Sequence, residues 1–173
     1  MAYRWLALAL SAFSFAAAGT GAAQAQSSDA IDHWNTNAVL AALQTLQASD
    51  IRADTAQGHA AVTARTHEGL NVGVYARACD QAPPGVDPLC HGLEAIISFD
   101  PGARADRKAL VNELNHRYAL GKFLDEPDGT IRLTRYVVFD GAVTPGNLRA
   151  ELASLFAIGN LATQTLWSEP PRR

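Results

Sequence analysis

Five histidines, two cysteines and a scatter of serines and acidic residues are the groups in this 173-residue sequence that could carry chemistry. His33, His59, His67, His91 and His116 form no H-x-x-x-H or H-E-x-x-H pair, so a zinc ion would have to recruit ligands from distant elements. Ser27 and Ser28 fall in a polar stretch. Ser49, Ser98 and Ser154 lack the G-x-S-x-G setting of a nucleophile elbow. Asp125, Glu126 and Asp128 resemble a calcium loop only superficially. Pro127 interrupts them, no bidentate Glu follows, and a solvated hairpin tip is the simpler reading. The expectation is therefore a protein with no catalytic residues, no metal and no cofactor.

Cys79 and Cys90 have a chemistry set by compartment. Arg4 opens a positive start, Trp5 to Ala18 is an uncharged and largely apolar run, and Ala23-Gln24-Ala25 is a small-x-small cleavage site before Gln26. The apolar run falls short of the roughly 20 residues that span a membrane. Residues 1–25 thus read as a cleaved signal peptide and the mature chain as periplasmic, with no transmembrane segment left after cleavage. An exported pair of cysteines should be oxidised. The spacing is not C-x-x-C, and His91 alone cannot complete a ligand set. A bridge would close the loop Asp80 to Leu89, whose Pro83, Pro84, Gly85 and Pro88 bar regular structure. Closing a loop of this size is worth about 3 kcal/mol on a chain-entropy estimate.

Taking 25 residues from 173 leaves 148, enough for one domain with its own core. Arg4 is the one charge lost, so 13 basic residues face 17 acidic ones, a net −4. No basic run offsets that balance, which argues against nucleic acid or an anionic membrane as partner.

The elements follow from periodicity. Residues 26–35 read as a loose segment, residues 36–167 as a single domain and residues 168–173 as a tail. Thr36 can cap a helix from Asn37 to Ala48 that carries Val39, Leu40, Leu43 and Leu46 on one stripe. Strands are expected over Ala60–Thr66, over Leu70–Cys79 and through Leu93, Ala95, Ile97 and Phe99. Leu70, Val72, Val74, Ala76 and Ala78 share one face of the second strand. Asp106 and Gly121 can bound a second helix carrying Leu110, Val111, Leu114 and Tyr118. A KFLD strand, a Pro127-Asp128-Gly129 turn and a strand over Thr130–Phe139 come next, with Arg135 on the apolar face of that strand. Thr144 and Pro145 open a last helix, which Gly159 weakens. The expected fold is α+β in the order α-β-β-β-α-β-β-α, an antiparallel sheet packed by helices on one face.

That order, with the residues between Ile96 and Leu152, resembles the YbjN family of bacterial sensory-transduction regulators. The family's mark is Asn-x-x-Asn on the middle helix, here Asn112 and Asn115 with Leu114 between them. Arg117, Phe123, Asp140, Gly141, Val143, Thr144, Asn147 and Leu148 continue the pattern. Leu114 stands where the family tends to have Trp. The resemblance implies a type III secretion chaperone-like fold, whose members are small α+β dimers that bind polypeptide segments. A protein or peptide partner and a homodimer are accordingly expected.

Three functions remain open on these residues. The first is a non-enzymatic binding or chaperone-like module, in envelope stress or sensory regulation. The second is a small periplasmic enzyme with a scattered site, and the third a structural envelope-associated protein. An exposed apolar sheet face would favour the first, an apolar cleft with convergent polar groups the second. Asn112 and Asn115 either satisfy backbone groups of the next element or line a ligand groove; the structural role is preferred because amides are poor catalysts.

Overall fold

The computed structural model describes residues 30–83, 85–102 and 105–167, so the signal-peptide assignment lies outside the described residues. Three helices cover one face of a six-stranded antiparallel sheet. The chain runs α1 (Thr36–Thr45), β1 (Ser49–Ala56), β2 (His59–Arg65), β3 (Asn71–Cys79), β4 (Cys90–Phe99), α2 (Arg107–Arg117), β5 (Lys122–Asp125), β6 (Ile131–Val138) and α3 (Pro145–Leu166). The strand order is β1-β2-β3-β4-β6-β5.

β1 is the strand missing from the expected order. Its sequence SDIRADTA leaves most side chains exposed on both faces, so the alternation that marks a half-buried strand is absent. It is held by pairing with β2 through a Gln57-Gly58 turn, both of whose residues take positive φ, 53° and 81°. That is the requirement of a type I′ hairpin, met by a Gln rather than the usual Asn or Asp.

The helix ends also differ from their sequence signals. Asn35, not Thr36, caps α1, its side chain accepting from the Ala38 N–H at 3.0 Å. α1 stops before Ala48 because Gln47 adopts φ 57°. Asp106 occupies the N-cap of α2 without a side-chain cap bond, and the helix ends at Tyr118 in extended backbone, before Gly121. Gly121 instead lies against β6, where an added Cβ would stand 2.6 Å from Leu133 Cδ1. Thr144 caps α3 as expected, accepting from Asn147 N–H at 3.1 Å.

Residues 30–35 are not loose. Ile31 is buried and exchanges two backbone hydrogen bonds with Val143, at 2.8 and 2.9 Å, while Trp34 N–H donates to Cys90 O at 2.7 Å. This segment therefore pins the start of α1 to the start of β4.

The core lies between sheet and helices. Val39 and Leu43 of α1, Leu114 of α2, and Leu152 and Leu155 of α3 meet Val74, Leu93, Ile97 and Leu133 of the sheet. Each fully buried side chain of this size contributes about 1.5–3 kcal/mol. Gly159 is a close-approach residue rather than a weak spot, since an added Cβ would stand 2.8 Å from Ile97 Cδ1 and 3.2 Å from Leu70 Cδ1. Ala78, expected on the core face, takes φ 51° and is exposed. Arg135 does share the core face and is satisfied there: its guanidinium pairs with Glu151 of α3 and donates to Leu120 O.

Candidate functional site

The helix-free face of the sheet is where exposed, chemically varied side chains converge. Register sets Thr63 of β2, Gly73 of β3, Ile96 of β4 and Thr134 of β6 in one row across it. Tyr75, Glu94 and Tyr136 form the next row. The period of two that turns Val72 and Val74 into the core turns Gly73, Tyr75 and Arg77 outward.

Glycine shapes this surface. The Tyr75 side chain folds back over Gly73, where an added Cβ would stand 2.4 Å from Tyr75 Oη. Tyr136 lies the same way over Gly92, at 2.7 Å. The Arg77 guanidinium stacks 5.1 Å from the Tyr75 ring centre and donates through Nε to Glu94 at 2.9 Å. Two shallow troughs result. One, of about 460 Å³, runs among Arg52, Thr63, Arg65, Gly73, Tyr75 and Ser98. The other, of about 330 Å³, lies among Gln57, Tyr75, Arg77, Ile96, Ser98 and Arg132. The face is therefore not the apolar surface anticipated for a binding module. It offers stacking rings, guanidinium forks and hydroxyls.

The residues of the Asn-x-x-Asn pattern lie elsewhere, around the β5 edge and the β6–α3 turn. Asn115 Nδ2 donates to Phe123 O at 2.9 Å, and its Oδ1 accepts from Phe123 N–H at 2.8 Å. Asn112 is exposed on α2 and Leu114 is fully buried beneath it. Asp140 is exposed and sits 3.3 Å from His91 Nδ1; Gly141 takes φ 85° in the turn. Thr144 caps α3. The structure does not bring these residues together as one site, and it gives Asn115, Gly141 and Thr144 backbone roles.

Cys79 and Cys90 face each other across β3 and β4 and are joined, S–S 2.08 Å, on the helix-free face. His59, at the start of β2, completes a cluster that sequence spacing did not reveal. The metal-ligating atoms of His59, Cys79 and Cys90 all lie within 4.8 Å of one another. Thirty-one residues separate His59 from Cys90, so strand pairing is what joins them. Across the sheet end, His91 bridges Asp80 and Asp140 at 3.3 Å each. The hydrogen bond to Asp80, with the charges of Asp80 and Asp140 beside it, raises the His91 pKa above its ordinary 6.5 against the opposing effect of desolvation.

The model of the YbjN family, described as a "putative bacterial sensory transduction regulator", matches residues 42–157. The chain belongs to the YbjN family. The matched segment of this YbjN protein takes in all six strands, α2 and the larger part of α3. A crystal structure of an uncharacterized protein from Methanothermobacter thermautotrophicus is similar in fold, with TM-score 0.52 and 9% identity over 75% of this chain and 94% of that one. No curated protein matches the chain. Among the described residues no helix is long and apolar enough to cross a membrane.

Proposed function

We propose that this YbjN protein is a non-enzymatic, periplasmic binding module of chaperone-like character that accepts a polypeptide segment on the helix-free face of its sheet. The observation that carries this reading is the glycine-floored surface where Tyr75, Arg77 and Arg132 stand half-buried beside two shallow troughs. Aromatic faces and arginine forks recur at protein interfaces, because they bury large area while keeping a polar handle. The troughs are shallow and each spreads over four strands, which suits an extended segment better than a small substrate needing enclosure. Export rests on the Ala23-Gln24-Ala25 site, and a role in sensory regulation rests on the family description.

The test is capture of partners from periplasmic extract with the mature protein as bait, beside a Tyr75→Glu variant and a Gln164→Glu control on exposed α3. Loss of captured protein with Tyr75→Glu alone supports the reading. Equal capture by all three baits removes the sheet face from it. Intact mass of the exported material should begin at Gln26, and retention of Met1 to Ala25 would refute processing there.

A further inference from the structure

We propose that, with its disulfide reduced, Cys79, Cys90 and His59 bind one zinc-class divalent cation, so that the sheet end alternates between a covalent bridge and a metal bridge. The three ligand atoms lie within 4.8 Å of one another on three neighbouring strands. His59 Nδ1 is buried and makes no hydrogen bond among the described residues, so part of the imidazole stands dry and unsatisfied beside the sulfurs. A buried polar atom without a partner carries a desolvation cost that a ligand can relieve. Two thiolates and one imidazole are the donor set of a catalytic-type zinc site, which leaves a fourth position for water. The ordinary zinc–sulfur and zinc–nitrogen bonds of about 2.3 and 2.0 Å put tetrahedral ligands roughly 3–4 Å apart. The sulfurs therefore have to separate once their bond is cut, and the imidazole has to close on them from a distance of no more than 4.8 Å.

The chemistry balances with an external dithiol as reductant. The dithiol breaks the Sγ–Sγ bond by exchange, becomes a disulfide itself and leaves two thiols on Cys79 and Cys90. The cation then displaces one proton from each thiol and takes the neutral imidazole nitrogen as third ligand. Reoxidation runs by exchange with an external disulfide, which takes up the two electrons and leaves as a dithiol while the Sγ–Sγ bond re-forms. It expels the cation because a disulfide sulfur is no longer a thiolate donor.

Cadmium serves as a spectroscopic stand-in for zinc, read through thiolate-to-metal absorbance on the mature protein. The oxidised protein should take up none, and the dithiol-reduced protein one ion per chain. Zinc should raise the unfolding midpoint of the reduced protein and leave that of the oxidised protein unchanged. His59→Ala should form the disulfide normally yet bind cadmium at least about 10-fold more weakly, the least cost expected when even an outer partner of a ligand costs that much. His59→Gln serves as a second variant if Ala perturbs the strand. Equal cadmium affinity in wild-type and both variants would remove His59 from the site. No uptake by the reduced protein, including one that unfolds on reduction and is not refolded by zinc, would overturn the proposal altogether.

Discussion

Asn115→Ala tests most directly whether the pattern residues are scaffold or site. β5 is the short edge strand, and Phe123 pairs with Leu133 of β6 on its inner side. Asn115 supplies a donor and an acceptor to Phe123 from α2, at 2.9 and 2.8 Å, much as a neighbouring strand would. Each such bond contributes about 0.5–1.5 kcal/mol net, so removing both should cost about 1–3 kcal/mol. The contact is part-buried, and water admitted to the Phe123 groups pulls the value toward the lower end. Asn115→Asp keeps the acceptor but loses the donor, and sets a carboxylate against Phe123 O. It should be no milder than Ala at neutral pH. Urea unfolding should show a lowered midpoint at unchanged slope, and amide exchange at Phe123 should quicken. Partner capture by the folded fraction should stay as in wild type. An unchanged midpoint together with slow Phe123 exchange would refute the argument, and lost capture at full stability would make Asn115 a ligand contact instead.

Leu114→Ala should lower stability by about 2–5 kcal/mol, the usual cavity penalty for a fully buried leucine, and an unchanged denaturation midpoint would contradict its placement under α2. Thiol labelling of denatured, unreduced exported protein should find no free cysteine, and Cys79→Ser should cost about 2–4 kcal/mol; two labelled thiols per chain would refute the bridge. Because Asp80 and Asp140 raise the His91 pKa in the folded state, the stability His91 contributes is full below about pH 6.5 and is lost as pH rises through the higher folded value. The stability difference between wild type and His91→Gln should therefore shrink from pH 6 to pH 8, and a difference that grows would reverse the assignment.

The sequence by itself determined whatever depends on local periodicity and local turn chemistry. Val72, Val74 and Ala76 alternate against Gly73, Tyr75 and Arg77 because β3 has one face buried and one open. Thr144 and Pro145 mark the start of α3, and Asp128 and Gly129 mark the β5–β6 turn, through bonds made within a few residues. The element order, together with the Asn-x-x-Asn pattern and the residues that follow it, points to the YbjN family. Tertiary structure decided what needs distant partners. β1 is a strand because β2 pairs with it, although most of its side chains are exposed and only Ile51 packs against the core. Arg135 fits a core-facing position because Glu151 arrives from α3, and Ile31 is ordered because Val143 meets it 112 residues later. The surface around Tyr75 exists because glycines on β3 and β4 leave room for rings to lie flat. His59 joined the cysteine pair for the same reason: a hydrogen-bonded sheet places side chains of three strands within one ligand sphere, and spacing along one chain carries no trace of it.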